Sequence, residues 1–231
     1  MRLLVIQHDA DKGLGLLDEP LRSAGAELDV RFAGRESLSL TDHAGVVALP
    51  GLANPVDCTE AVAATRSTLA DALERDLPVL GICLGAELLG QAAGAKAIAC
   101  RAEYGYWPVS LTGEGASDPL LGDLPVQFEA FQAHAYGVEL PANSVALAHS
   151  EHSLQGFRIG NRAWGLQFHP EASKQMIDGW LGTIGHVMER QGARLGDIAS
   201  QAKRDAEVWS HRAVGIANRF VDAVSSFVPE R

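Results

Sequence analysis

The feature that most constrains the fold of this chain is a glycine-framed cysteine at the end of a short apolar run, Pro78-Val79-Leu80-Gly81-Ile82-Cys83-Leu84-Gly85. The pattern is typical of a nucleophile elbow, in which a buried strand ends, the chain turns sharply at the nucleophile, and a helix begins. Such a turn leaves no room for side chains at Gly81 and Gly85, and it lifts the Cys83 sulfur out of the sheet. The sequence therefore places Cys83 at a helix N-terminus, where free N–H groups and the helix dipole favour a thiolate.

A second motif, Phe168-His169-Pro170-Glu171, follows another apolar run of strand length. We expect that strand to deliver His169, and Glu171, two residues on, to point to the same side and orient the imidazole. A thiol nucleophile, a histidine base and a carboxylate together form a catalytic triad. The two motifs therefore predict Cys83, His169 and Glu171 as catalytic residues.

The order of strands and helices predicts an α/β fold. Strand-like and helical segments alternate through the first part of the chain, which favours a parallel sheet. The middle of the chain has strand-like segments separated by turn signals, which suggests a partly antiparallel extension. We expect an open, mostly parallel, doubly wound sheet flanked by helices, of the flavodoxin-like kind. Strands are predicted at 2–7, 45–49, 106–111, 126–131, 145–149, 156–159 and 163–168 and in the apolar run that ends at Cys83, and helices at 14–24, 57–75 and 84–93.

The C-terminal part is predicted to be helical, because six apolar residues recur there at helical spacing. They are Trp209, Ala213, Ile216, Phe220, Val224 and Phe227. We interpret this stripe as a face packed on the sheet. The expected organisation is one domain over residues 1–231, with a core of about residues 1–181 and packed helices over 182–231.

Composition excludes several classes of function. The 231 residues carry a formal net charge of −10, so no attraction to nucleic acid or to an anionic membrane is expected. No segment approaches the roughly 18 apolar residues that span a bilayer. Three cysteines do not form a disulfide framework. His149 and His152 lack a third spaced ligand group, so no metal is predicted, and nothing indicates a cofactor. We expect a reduced, cytoplasmic enzyme.

The two motifs resemble those of the class I, or triad, glutamine amidotransferases. The resemblance extends over about residues 45–181, includes the segments 101–106 and 131–134, and is closest to free-standing members similar to the glutaminase domain of GMP synthase. It implies that the substrate is glutamine or another γ-glutamyl compound, and that hydrolysis passes through a cysteinyl thioester and releases ammonia. Two protein partners stay open: a separate synthetase subunit that accepts the ammonia, and a second copy of this chain.

The expected oxyanion site needs two backbone N–H donors. One is Leu84, just after the nucleophile, and the other comes from the loop that contains Gly51 and Leu52. The family has two adjacent glycines in that loop, so Leu52 is a departure. The family also commonly has glutamine where this chain has Glu87, and the histidine matched by His134 is usually followed by glycine.

These departures leave the substrate less defined than the chemistry. A carboxylate at Glu87 repels an α-carboxylate and attracts an α-amino group. Glutamine is the first expectation for the substrate. A stand-alone hydrolase of γ-glutamyl peptides or amides is the first alternative, and a catalytically silent regulatory module of the same fold is the second.

Overall fold

A computed structural model describes residues 1–227 of the chain, which form one nine-stranded mixed sheet with helices against it. The strands are β1 (Arg2–Gln7), β2 (Glu27–Phe32), β3 (Gly45–Ala48), β4 (Val79–Ile82), β5 (Ala97–Leu111), β6 (Gln127–Val138), β7 (Ser144–His149), β8 (Leu154–Ile159) and β9 (Ala163–Leu166). The helices are α1 (Asp18–Ser23), α2 (Glu60–Glu74), α3 (Leu84–Ala92), α4 (Gly113–Ala116), α5 (Lys174–Arg190) and α6 (Leu195–Ser225).

The strand order is β2-β1-β3-β4-β9-β8-β7-β5-β6. The pairs from β2 through β9 are parallel, and the pairs from β9 through β6 are antiparallel. The predicted α/β class, with a parallel sheet and an antiparallel extension, is therefore confirmed. The strand β9 links the two parts, because it is parallel to β4 on one side and antiparallel to β8 on the other.

Both faces of the parallel part are covered by helices, as expected for a doubly wound sheet. Leu3 and Val5 of β1 face a core cluster that also contains residues of α1 and α6, whereas Leu4 and Ile6 face a cluster with α2 and α3. The alternation follows from the period of two along a strand. Both faces of this strand are therefore buried.

The predicted C-terminal stripe lies on α6. Its first five residues are buried in the same cluster as Leu3 and Val5, and Phe227 packs against the opposite cluster. The stripe thus packs on the sheet as expected. The assignment of residues 1–231 to a single domain stays a prediction, since residues 228–231 lie outside the described part.

Strand β2 was missed by the sequence analysis, and β5 and β6 are longer than predicted. Strand β2 (Glu27–Phe32) is an edge strand without a fully buried residue, so it lacks the apolar run that marks its neighbours. Strand β5 begins at Ala97, where polar and apolar residues mix, and only its last third carries the predicted pattern.

Candidate active site

The turn at Cys83 has the geometry that the sequence predicts. Strand β4 ends at Ile82, α3 begins at Leu84, and Cys83 between them has φ 50° and ψ −112°. A positive φ in a non-glycine residue costs on the order of 1–3 kcal/mol and persists only where neighbours hold it. Here the Cys83 N–H donates to the Leu166 carbonyl at 2.8 Å, and the Glu87 N–H donates to the Cys83 carbonyl at 3.0 Å.

The two flanking glycines are required by close backbone approach. A side-chain carbon at Gly81 would lie 2.6 Å from the Gly85 carbonyl oxygen, and one at Gly85 would lie 2.1 Å from the Ala48 carbonyl oxygen. Neither backbone oxygen can move without disturbing β3 or α3. The glycines therefore let α3 pack directly on the end of the sheet.

His169 and Glu171 form a buried pair just beyond β9. His169 Nδ1 lies 2.7 Å from Glu171 Oε1, and both side chains are almost fully buried. Within residues 1–227 the other ring nitrogen, Nε2, has no hydrogen-bond partner. The ring packs edge-on against Trp180 and Phe131, with centroid separations of 5.3 and 5.9 Å. The carboxylate thus fixes the ring and leaves Nε2 unengaged.

Strand pairing brings this pair to the Cys83 edge of the sheet. Strand β9 pairs in parallel with β4, with Gly165 opposite Gly81 and Leu166 opposite Ile82. The carboxyl ends of neighbouring parallel strands meet at one edge of a sheet, which is where ligands bind in such folds. The chain segments that follow the two strands carry Cys83 and His169, respectively.

Burial and two nearby carboxylates oppose the ionisation of Cys83. Burial raises the pKa of the Cys83 thiol well above its usual value, and the nearby Glu87 and Glu171 raise it further. The Leu84 N–H and Lys12 lower it, but by less. The N–H of Leu84 at the helix N-terminus acts in the expected direction, but burial and the two carboxylates outweigh it.

A cavity of about 240 Å³ opens beside Cys83. It contains several of the predicted site residues, namely Gly51, Leu52, Cys83, Leu84, Glu87 and His134. Its other lining residues are Ala53, Asn54, Pro55, Tyr104, Ala133, Ala135, Tyr136, Ile184 and Val187. His169 and Glu171 do not line it. No lysine or arginine belongs to the lining among the described residues.

The loop after β3 differs from the expected oxyanion site at one donor. Gly51 packs so closely that a side-chain carbon there would lie 2.6 Å from Leu84 Cδ2 and 2.9 Å from His8 Cβ. The Leu52 N–H is already engaged, since it donates to Asp9 Oδ2 at 2.7 Å. The Leu52 side chain is 56% exposed, and its φ is not positive. Asp9 had no predicted role, and no motif marks it.

Glu87 faces the cavity from the first turn of α3. Only 3% of the residue is exposed, and its Oε1 accepts a hydrogen bond from Gln167 Nε2 at 3.0 Å. Burial raises the pKa of this carboxyl, although the Gln167 contact and the nearby His134 and His169 oppose the shift.

His134 lies between a backbone carbonyl and a buried carboxylate. Its Nδ1 donates to the Tyr136 carbonyl at 2.8 Å, and its Nε2 lies 3.1 Å from Glu103 Oε2. Burial lowers the pKa of His134, but the contacts with Cys100 and Glu103 outweigh burial and raise it to about 9. Burial alone would raise the pKa of Glu103, but its contacts with His134 and two serines outweigh burial, so the pKa is lowered overall. Glu103 was given no role by the sequence analysis.

Two other structural findings bear on the kind of site. Residues 1–227 contain no group of three or more histidine, cysteine or acidic side chains arranged to hold a metal ion. Across the same residues, no helix combines the length and the apolar character that crossing a bilayer requires.

Comparison with known proteins gives a consistent family. Residues 15–179 match the model of the class-I glutamine amidotransferases. The chain is 31% identical over 107 residues to a glutamine-hydrolysing GMP synthase of Spiroplasma kunkelii, covering 45% of this chain and 20% of the relative. It is 33% identical over 161 residues to a carbamoyl phosphate synthase small chain of Ralstonia nicotianae, covering 66% of this chain and 38% of the relative.

The chain thus spans only about a fifth to two fifths of these curated relatives. A solved structure of a glutamine amidotransferase from Thermotoga maritima superposes with a TM-score of 0.87 at 23% identity. That superposition covers 96% of this chain and 98% of the other. At this identity, the structural likeness establishes the fold.

Proposed function

The chain belongs to the class I glutamine amidotransferase family, and we propose that it hydrolyses the side-chain amide of glutamine through a thioester on Cys83. One observation carries the proposal. The buried His169–Glu171 pair leaves His169 Nε2 without a hydrogen-bond partner among the described residues, and the pair follows β9, which is the parallel neighbour of β4, the strand that leads to Cys83. Glutamate and ammonia are the products.

In the proposed first step, the Cys83 sulfur attacks the amide carbon while its proton passes to His169 Nε2. The raised pKa of the Cys83 thiol means that proton transfer accompanies the attack, because little free thiolate exists beforehand. Glu171 stabilises the resulting imidazolium through Nδ1. The oxyanion of the tetrahedral intermediate is held by the N–H of Leu84, which at the start of α3 has no acceptor within its own helix.

In the second step, His169 returns the proton to the leaving nitrogen, and the carbon–nitrogen bond breaks to give the thioester. A water molecule, activated by His169, then attacks the thioester carbon. The carbon–sulfur bond breaks and Cys83 regains its proton. No cofactor or metal takes part in this scheme.

We further propose that a separate acceptor enzyme takes up the ammonia. The support comes from the two named relatives. One is a GMP synthase and the other is the small chain of a carbamoyl phosphate synthase, and this chain spans only part of each. A homodimer remains a second proposal for assembly. Because a free thiol is the working group, we place the reaction in a reducing compartment such as the cytoplasm.

Glu87 favours a second candidate, hydrolysis of γ-glutamyl amides or peptides. The cavity presents a carboxyl at Glu87 and has no lysine or arginine among its described lining residues. Among the described lining residues the cationic group is His134, which is paired with the buried Glu103 carboxylate at 3.1 Å. A substrate whose carboxylate is capped or distant avoids repulsion from Glu87, and the apolar Ile184 and Val187 offer a wall for a larger amine.

The deciding experiment is an amide-hydrolysis assay with purified protein over glutamine, γ-glutamyl dipeptides and γ-glutamyl alkylamines, with Cys83→Ala as the blank. Ammonia is measured for glutamine, and the released amine or amino acid for the others. Turnover of glutamine supports the main proposal, and turnover confined to substituted amides supports the second. No turnover of any substrate would overturn both and indicate a silent module.

A further inference from the structure

The loop that follows β3 is tied to the loop that follows β1 by a single carboxylate contact. Strands β1 and β3 are parallel neighbours, so the loops at their carboxyl ends lie side by side. Asp9, two residues beyond β1, accepts the Leu52 N–H on Oδ2 at 2.7 Å. That length is typical of a charge-assisted hydrogen bond, which is roughly twice as strong as a neutral one.

The contact fixes the orientation of the peptide group between Gly51 and Leu52. With its N–H directed at Asp9, this peptide cannot direct the same N–H at an oxyanion beside Cys83. Reversing it would require a rotation of about 180° in the φ of Leu52, because a peptide flip is taken up by the dihedrals on its two sides. The present φ of Leu52 is not positive.

The flipped peptide would therefore place Leu52 at positive φ, where a residue with a branched side chain is strained. A glycine at position 52 would accept either orientation at little cost. Leucine accepts only one. The Leu52 side chain and the Asp9 carboxylate thus favour the same orientation of the peptide, in which the Leu52 N–H is directed at Asp9.

The N–H of Gly51, the residue before Leu52, is placed differently. Gly51 lines the cavity with Cys83 and Leu84, and its backbone packs against the Leu84 side chain. Within residues 1–227 its N–H has no hydrogen-bond acceptor. Gly51 is therefore a cavity-lining donor of this loop, next to Leu84, that no acceptor within the described residues engages.

We infer that Asp9 is a positioning residue, which holds the Gly51–Leu52 peptide in one orientation so that Gly51, and not Leu52, supplies the second oxyanion donor. The inference rests on the proposed function, since it specifies the oxyanion site of that reaction. It also implies that the oxyanion site is complete in the isolated chain, because the contact that sets it lies wholly within this chain.

The test compares three variants on the substrate that the wild type turns over best. Asp9→Ala removes the acceptor, Asp9→Asn keeps an oxygen acceptor of the same size, and Asp57→Ala is the matched control. Asp57 also accepts one backbone N–H from this loop, that of Asn54 at 2.8 Å. Loss of general loop order would affect the Asp57 variant equally, whereas loss of peptide orientation would not.

We expect Asp9→Ala to lower kcat by about tenfold or more with KM changed less than about threefold, since loss of a whole oxyanion donor costs 10²–10³-fold. Asp9→Asn should keep most of the activity, and Asp57→Ala should stay near the wild type. A second measurement uses the γ-aldehyde analogue of glutamine, whose adduct with a thiol carries the same oxygen. Its affinity should fall in Asp9→Ala by the same factor as kcat/KM.

The outcomes separate this inference from the proposed function. If the wild type hydrolyses no amide, the proposed function fails before the variants are compared. If the wild type is active and Asp9→Ala matches it, or if Asp57→Ala falls as far as Asp9→Ala, the positioning role of Asp9 is wrong. Asp9→Leu, which has similar size and no acceptor, replaces Asp9→Ala if that variant does not fold.

Discussion

Replacing Glu87 by glutamine is predicted to raise kcat/KM for free glutamine by about tenfold. The substitution removes a charge and leaves the packing nearly unchanged, because the two side chains have the same shape. The new amide oxygen can still accept the hydrogen bond from Gln167 that Glu87 Oε1 accepts at 3.0 Å. The variant therefore isolates the effect of the negative charge.

The magnitude follows from the position of Glu87 relative to Cys83. Residues four apart on a helix face one another at about 6 Å, and two unit charges at that separation interact by about 3 kcal/mol at an effective dielectric constant near 20. The hydrogen bond that Glu87 Oε1 accepts from Gln167 and the nearby His134 offset part of this repulsion. We take about half of the interaction, ~1.4 kcal/mol, which is tenfold in kcat/KM.

Two effects contribute, and a second substrate separates them. The charge disfavours the Cys83 thiolate, whose pKa it raises, and it repels the α-carboxylate of the substrate. The first effect is common to all amides, so it cancels in the ratio of kcat/KM for glutamine to that for its α-carboxamide. That ratio should rise in Glu87→Gln if the carboxylate faces Glu87.

The assay is steady-state ammonia release at pH 7.5, with Glu74→Gln as an exposed control on α2 and thermal unfolding as a check of the fold. An unchanged or lower kcat/KM for glutamine in a variant with native Tm would refute the reasoning. A higher kcat/KM with an unchanged ratio would mean that Glu87 acts on the thiol alone.

Three further predictions concern the triad and its surroundings. Cys83→Ser should remove nearly all amide hydrolysis, and a diazo-ketone analogue of glutamine should label Cys83; peptide mapping that finds the label on either other cysteine would contradict the assignment. His169→Ala should cost as much kcat as Cys83→Ala, and Glu171→Ala less, with no added loss in the His169–Cys83 double variant. The imidazolium of His134 should stabilise the fold fully below pH 6.5 and lose that effect as pH rises through about 9, its raised pKa. Tm measured from pH 6 to 10 against His134→Gln checks this, and a difference in Tm that does not change with pH would count against it.

The parts of the site that could be predicted from sequence are those fixed by local rules. The turn at Cys83 is marked by glycines at Gly81 and Gly85, because backbone oxygens occupy the space of their side chains. The His169–Glu171 contact follows from a two-residue spacing in a turn. Both motifs are short, and each dictates its own geometry.

The partners of Glu87 and His134 could not be predicted, because they lie far away in sequence: Gln167 follows β9, and Glu103 lies on β5 opposite His134. Strands β5 and β7 pair only at Ser110–His149 and Leu111–Ala148, so the sheet opens between the rest of β5 and β8. Buried polar side chains meet there: Glu103 contacts His134 and accepts from Gln155 Nε2 at 2.9 Å. Nothing in the sequence of β5 distinguishes Glu103 from a surface glutamate.

The protonation state of Cys83 shows how such distant contacts alter what a motif implies. The elbow alone favours a thiolate at a helix N-terminus, whereas burial, Glu87 and Glu171 raise the thiol pKa and outweigh that contribution. A neutral thiol needs a base with a free nitrogen, and His169 Nε2 has no partner within the described residues. Glu171 disfavours negative charge on the Cys83 sulfur. It also stabilises a proton on His169, so it assists proton transfer when the sulfur bonds to the amide carbon and no longer carries that charge.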